Sequence, residues 1–298
     1  MEPIATIGLC VKNNEATVRE AVNSIINQDF PDDHLEVIVV DGCSQDQTLR
    51  IIKEVLSKRA INVRIFSENK GLGFARQVVV NNATGKYVLW LDSDIFLSKN
   101  YVKQQTHFME NNPEAAATVG SFGLVPHENW VAMLESIGYI VESLKNDGKS
   151  TSKLIGTKGS IFLVKAIRMA GGFDLNIKGA QEDLDLTYRL YSMGWKFFTT
   201  NARLYERQRI TWGAIWKRHF WYGYGLHYIQ HKHKGRNLFF DKSNNRIVIS
   251  SQAYTLTHRK LVFLLPINFL FRKIALLFGF LKAHVDGYGH YCRKTVKP

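Results

Sequence analysis

Asp92 and Asp94, with Ser93 between them, stand directly after the apolar run Tyr87-Val88-Leu89-Trp90-Leu91. Five consecutive apolar residues read as a strand buried on both faces. Open α/β sheets bind ligands where such strands end, so the two acids fall where a cleft is expected. Carboxylates at this spacing suit a divalent cation carrying a phosphorylated ligand, because Mg²⁺ and Mn²⁺ prefer oxygen and often take only one or two acids from the protein. A strand-to-turn junction, with Asp and Ser capping a following helix, uses the same residue types. A second acidic pair, Glu182-Asp183, precedes Leu184, Leu186 and Leu190. The dipole of a helix beginning there favours acids, and a carboxylate so placed can also act as a general base.

The elements that must position these acids alternate. Ile4–Val11 reads as a strand, and Val18, Ala21, Val22, Ile25 and Ile26 recur at helical spacing within a helix over residues 17–28. Val37–Val40 is a second strand, ending at Asp41-Gly42, and Leu49, Ile52, Val55 and Leu56 mark an amphipathic helix. Val63–Phe66 is a third strand, and a helix through Gly73–Asn82 leads into the strand before Asp92. This rhythm implies right-handed crossovers and an α/β fold, a mainly parallel sheet flanked by helices. Asp41 and Asp92 then share one edge of that sheet. Lys145–Lys153 is polar and reads as a mobile loop.

The chain has 298 residues, 45% of them hydrophobic, enough for one large α/β domain with an appendage. Its formal charge of +13 favours anionic partners: nucleic acid, an acidic membrane surface or phosphorylated substrates. Cys10, Cys43 and Cys292 form no metal-ligand pattern and read as reduced thiols in a cytosolic setting. Met1-Glu2-Pro3 opens no basic or cleavable apolar segment, so no secretory signal is expected. After Trp195 aromatic and basic residues crowd together, among them Trp212, Trp216, Lys217, Arg218, Trp221 and Tyr222. Leu261–Ala283 is strongly apolar but interrupted by Pro266, Asn268 and Arg272-Lys273, which fits poorly with a bilayer span. It fits helices lying in a membrane interface, or a helical cap packed on the domain.

Together these segments resemble the family 2 glycosyltransferases, inverting enzymes with the GT-A nucleotide-sugar-binding fold. The resemblance runs from Ile4 to about Gly225. It is carried in order by Asn13-Asn14-Glu15, by Val39-Val40-Asp41-Gly42 through Thr48, by Asn69 to Arg76, by Leu91-Asp92-Ser93-Asp94, and by Gly171-Gly172-Phe173-Asp174 followed by Gln181-Glu182-Asp183-Leu184-Asp185-Leu186. The resemblance implies a GT-A domain over residues 1–225, and the composition of 226–298 reads as a basic, aromatic helical extension at the membrane interface. The resemblance also implies nucleotide-sugar binding by Val11, Asn13, Asp41, Arg76, Asp92, Ser93 and Asp94. Asp41 would accept from the base, and Asp92 would serve ribose and the metal's surroundings. Asp94 would be the direct ligand of Mn²⁺ or Mg²⁺. Asp183 would be the base that deprotonates the acceptor, with Glu182 orienting it. Ser44 and Asp46 read as caps of the helix that follows them. Lys158 and Trp212 would wall the acceptor pocket.

The chain departs from the family where a histidine often precedes the aromatic helix. Tyr205-Glu206-Arg207 stands there, so either Glu206 replaces that ligand or Arg207 and Arg209 supply positive charge. Processive relatives carry Gln-x-x-Arg-Trp, and Gln208-Arg209-Ile210-Thr211-Trp212 lacks that arginine. One sugar addition is therefore expected, from a UDP-sugar first and a GDP-sugar second, to a lipid-linked or other glycan hydroxyl. The enzyme would be cytoplasmic, peripheral on the cytosolic face of an anionic membrane. A close variant is a polyprenyl- or dolichyl-phosphate sugar synthase with a lipid phosphate acceptor. Basic residues interleaved with aromatics over 212–233 also fit single-stranded nucleic acid. No binding motif accompanies them, and no nucleic-acid partner is expected.

Overall fold

The computed structural model describes residues 3–123, 125, 129–145, 150–151, 154–233 and 261–289. The first half alternates as its apolar spacing requires: β1 (Ala5–Val11), α1 (Val18–Ile26), β2 (Leu35–Asp41), α2 (Thr48–Leu56), β3 (Asn62–Ser67), α3 (Leu72–Asn82) and β4 (Tyr87–Leu91). Then follow β5 (Ile95–Leu97), α4 (Tyr101–Asn111), β6 (Ala115–Phe122), α5 (Trp130–Lys145), β7 (Ser150–Thr151), β8 (Ile161–Leu163) and α6 (Val164–Met169). The chain continues with α7 (Glu182–Ser192), β9 (Lys196–Glu206), α8 (Trp212–Lys232) and α9 (Leu265–Val285). Strands run in the order β3-β2-β1-β4-β8-β6-β9-β5, with β7 also on β9. The first four are parallel; β8 joins β4 and β6 antiparallel, and β6 and β9 are parallel.

Side chains alternate across the sheet and divide the core. Ile7, Leu9, Val37, Val39, Leu89 and Leu91 pack with α1, α2 and α4. Ile38, Val40, Val88 and Trp90 face the other way, onto α3, α6 and α7. Every residue of β2 and β4 is buried, as a strand covered on both faces must be. Asp41 and Asp92 therefore emerge from strands that cannot shift without exposing core.

The segment expected to be a loop at Lys145–Lys153 differs where it is described. Lys145 closes α5, and Ser150 and Thr151 pair antiparallel with Phe198 and Phe197. Residues 146–149 and 152–153 lie outside the described residues. A polar stretch can add a short edge strand because main-chain bonds do not depend on side-chain hydrophobicity.

At the C-terminus α9 lies against α8 with its small residues inward. Ala275, Gly279 and Ala283 are buried. A Cβ on Gly223 would meet the Leu276 carbonyl oxygen at 1.8 Å, and one on Gly279 would meet that of Phe220 at 1.8 Å. The opposite side of α9 exposes Ile267, Leu270, Ile274, Leu277 and Leu281, with Phe263 just before it. The helix thus packs as a cap on one side and presents an apolar stripe on the other. Among the described residues no helix is long and apolar enough to cross a membrane.

α8 also backs the acidic helix α7. A Cβ on Gly225 would meet the Ala180 carbonyl oxygen at 1.8 Å, and Lys232 Nζ lies 2.7 Å from both Asp174 and Asp185. Asp174 and Asp185 thus fix α7 on α8. We expect Gly279→Ala to lower stability by roughly 1–3 kcal/mol in urea titration, since the obstacle is backbone. Gly213→Ala, with nothing within 4 Å of its added carbon, should be neutral or raise stability by up to about 1 kcal/mol.

Candidate functional site

The connections after β1 and β2 are stitched to one another. Asn13 N donates to Ser44 Oγ (3.0 Å) and Asn14 N to Thr48 Oγ1 (2.8 Å). Gln45 N donates to Asn13 Oδ1 (2.8 Å) and Gln47 N to Glu15 Oε2 (2.9 Å). Gly42 N donates to the Val11 carbonyl (2.7 Å). Asn13 and Cys43 adopt left-handed backbone, φ 48° and 59°. Asp46 caps α2 through Thr48 N (3.0 Å), as expected. Ser44 does not cap that helix; its amide (3.0 Å) and hydroxyl (2.6 Å) both donate to Asp41. Asp41 is thereby aimed before any ligand arrives. It stands two strands from the end of β4, roughly 10 Å at ordinary strand spacing.

One buried cation joins the acids. Arg76 of α3 is 4% exposed and Glu182 is 2% exposed. The guanidinium contacts Glu182 and lies 3.6 Å from Asp92. Arg76 is thus engaged with carboxylates of its own chain. Burial works against its charge, but Glu182, Asp92 and Asp183 outweigh it and raise its pKa. Burial pushes Glu182 up to about 7, with Arg76 opposing and Asp183 adding to the rise. Burial also raises Asp92; Arg76 and Lys158 pull the other way, while Asp94 and Asp183 add to it.

Asp183 sits beside this group at the first turn of α7. Its Oδ2 accepts from Thr157 N (3.1 Å) and Thr157 Oγ1 (3.3 Å), and its Oδ1 from Leu184 N (2.8 Å). A Cβ on Gly156 would lie 2.8 Å from Oδ2, so this approach needs glycine. The Gly156–Gly159 turn is anchored to β4, with Gly159 N donating to the Trp90 carbonyl at 3.0 Å. Acids from α7 and from the end of β4 therefore face one another across Arg76.

Asp94 has a different setting. Arg209 contacts its carboxylate, and Arg207 N donates to its carbonyl at 2.9 Å. Burial opposes its charge, but Arg209, Lys158 and Arg218 together hold its pKa below the usual range. Glu206, at the place of the family's histidine, binds Lys158 (2.5 Å), Arg218 (3.3 Å) and Gln208 Nε2 (2.7 Å). Arg207 turns toward α1 and binds Glu20 at 2.8 Å. At this position Arg209 stands against Asp94, while Arg207 binds Glu20 and Glu206 binds Lys158 and Arg218. Trp212 meets the rings of Trp130 (5.8 Å) and Phe271 (5.0 Å).

Asp92, Asp94, Lys158, Glu182 and Asp183 are thus brought into one electrostatic cluster, with Asp41, Asn13 and Val11 on its flank. Sequence reasoning missed Gly156 and Thr157, which orient Asp183. Gly156-Thr157-Lys158-Gly159 before a short apolar strand was the available signal. Cys10 and Cys43 are unbonded thiols, and burial pushes Cys10 up to about 12; Cys292 lies outside the described residues.

A mainly parallel sheet with acids at its strand ends, a buried acidic helix start beside them and helices over both faces is the GT-A fold of nucleotide-sugar-dependent transferases. The chain belongs to glycosyltransferase family 2: the Glycosyl transferase family 2 model matches residues 6–167, and Glycosyl transferase family group 2 matches 87–284. It is 38% identical over 101 residues to the poly(ribitol-phosphate) beta-N-acetylglucosaminyltransferase TarS of Staphylococcus aureus, covering 34% of this chain and 18% of TarS. With YdaM of Bacillus subtilis, named as a glycosyltransferase, identity is 24% over 269 residues, 86% of this chain and 62% of the relative. The chain spans less than two thirds of the length of these relatives. Among solved structures, TarS 1–349 with UDP superposes with a TM-score of 0.54 at 17% identity, covering 97% of this chain and 92% of that one. The mannosyltransferase PcManGT of Pyrobaculum calidifontis, solved with GDP-Man and Mn²⁺, gives 0.59 at 18%, covering 96% and 75%. Likeness at these identities shows the fold.

The Glu182 environment predicts a pH effect. Its folded value of about 7 exceeds its ordinary 4.5, so the folded state holds a proton that the unfolded chain releases in between. The stability it contributes is present below 4.5 and is lost as pH rises through 7. Urea midpoints at pH 5 and pH 7.5 should fall more for the wild type than for Glu182→Gln.

Proposed function

We propose that the protein transfers one sugar, with inversion, from a nucleotide-sugar to a hydroxyl of a lipid-linked or other glycan acceptor. The observation that carries this reading is the convergence of Asp183, held by Thr157 and Leu184, with Asp92 and Asp94 around Arg76 and Lys158. UDP and UDP-GlcNAc occupy TarS structures of this fold, and GDP-Man occupies PcManGT. A UDP-sugar is the first choice of donor and a GDP-sugar the second.

Asp41, set by Ser44, accepts from the base, while Val11 and Asn13 border the nucleoside. Asp92 receives the ribose. The donor set fits a hard divalent cation, since Asp92 and Asp94 offer only oxygen. Among the described residues no group of three His, Cys, Asp or Glu side chains could close a site, so the remaining ligands would come from diphosphate and water. Bound there, Mn²⁺ or Mg²⁺ would neutralise charge on the departing nucleoside diphosphate. Asp183 takes the acceptor's proton, with its carboxylate held in place by Thr157 and Leu184. Glu182 and Arg76 hold the start of α7 in place. Lys158 and Trp212 border the acceptor. A lipid phosphate acceptor is the second reading, favoured by the cations Lys158, Arg209 and Arg218 beside Asp94.

We also place the protein at the cytosolic face of an anionic membrane, as a peripheral enzyme. The exposed stripe of α9 and the exposed Lys273 and Lys282 beside it support this reading. The membrane-facing unit then comprises the last third of α8 with α9, within residues 226–298. The donor-binding unit is 1–225.

Donor screening across nucleotide sugars, with Mn²⁺ or Mg²⁺, tests the activity; no hydrolysis or transfer from any would refute it. Asp183→Asn should lower kcat by about 10²–10⁴-fold for a hydroxyl acceptor, and by less than about tenfold if the acceptor is an ionised phosphate. On anionic vesicles the wild type should be retained, and Leu277→Glu with Leu281→Glu should lose most of that retention. Equal retention of both forms would remove the membrane from the scheme.

A further inference from the structure

Asp94 already has a cation, and that fact bears on how a metal could reach it. Arg209 extends from the connection between β9 and α8 to the Asp94 carboxylate. The contact is not sealed: the Arg209 side chain is 36% exposed and that of Asp94 16%. The connection is tied to the same residue a second time, through Arg207 N and the Asp94 carbonyl at 2.9 Å. Lys158 and Arg218 act on Asp94 from nearby, yet both have Glu206 as an acidic partner, at 2.5 and 3.3 Å. Arg209 is the cation whose carboxylate is Asp94 itself.

A divalent cation arriving alone would have to displace this guanidinium and then stand among three positive side chains. A nucleoside diphosphate alters both conditions. It brings negative charge to the cluster, and it offers the Arg209 fork a phosphate in exchange for the carboxylate. The exposed position of Arg209 allows that exchange without opening the core.

We propose that Arg209 and the metal compete for Asp94, and that the donor's diphosphate resolves the competition by taking Arg209 as its own ligand. Metal and donor then enter together, and metal alone binds weakly. Glu206 has a supporting part, holding Lys158 and Arg218 so that Arg209 alone need move. This rests on the nucleotide-sugar reading above and adds to it an order of binding and a diphosphate-binding residue.

The test uses the full chain and two probes, Mn²⁺ followed by electron paramagnetic resonance of the unbound ion, and UDP followed by calorimetry without metal. Arg209→Gln should bind Mn²⁺ alone about tenfold more tightly than wild type and UDP alone about tenfold more weakly, the scale of one charge-assisted pair. Arg209→Lys should lie nearer the wild type on both. Opposite signs are the signature, because a merely structural arginine would weaken both probes when lost. Thermal melts show whether each variant is folded, and Arg209→Lys carries the test if Arg209→Gln is not. Mn²⁺ binding to a folded Arg209→Gln no tighter than to wild type, with UDP binding intact, overturns the role of Arg209 and leaves the donor reading standing. A wild type that binds neither UDP nor GDP, even with Mn²⁺ present, overturns both.

Discussion

The cleft depends on a guanidinium that water scarcely reaches. Arg76 stands between Asp92, at the end of β4, and Glu182, at the start of α7. These residues are far apart in sequence, and nothing local fixes their separation. A buried charge must find its opposite or carry a large desolvation penalty, and breaking such a pair by removing one partner costs about 3–5 kcal/mol. The same demand makes Arg76 a spacer that holds the acidic helix at a set distance from the strand end. Asp183, one residue further on, inherits its position from that pairing and its aim from Thr157.

Charge is distributed in two tiers around this point. The inner tier, Arg76 with Glu182, is enclosed and tied to the core through α3, with the half-buried Asp92 at its open edge. The outer tier, Lys158 with Glu206 and Arg218 and Arg209 with Asp94, joins the β9–α8 connection to the β4 end, and its Lys158 and Arg209 reach solvent. Stability depends more on the Arg76–Glu182 pair, both partners of which are shut off from water. In the proposed scheme, ligand response belongs to Arg209 and Asp94 of the outer tier.

Much of this was legible in the chain and some was not, for physical reasons. The first four strands and three helices follow from apolar runs and helical spacing, since both faces of the sheet are covered. Asp41, Asp92, Asp94 and Asp183 were legible as acids at strand ends and at a helix start. The three-residue β5 and β8 and the two-residue β7 were not, because such short pieces are held by partners distant in sequence. Ser44 was read as a cap, as its residue type favours, yet the nearer acceptor Asp41 claims it. The commitment of Arg76 to two carboxylates, and of Arg209 to Asp94, belongs to tertiary geometry that residue types alone do not encode. α9 packs on α8 as the cap its sequence allowed, small residues inward, and leaves large apolar residues outward.

The two stitched connections carry a consequence of their own. Asn13, Asn14 and Glu15 are bonded to Ser44, Gln45, Asp46, Gln47 and Thr48, strand-end loop to strand-end loop. The rim expected to meet the nucleobase is therefore assembled in advance, and a nucleotide entering it loses little freedom to loop ordering. It is also built from other residues than the acidic pair that starts α7. On the proposed reading, base preference could drift through exchanges within residues 12–15 and 43–48 while Asp183 and its partners stayed unaltered.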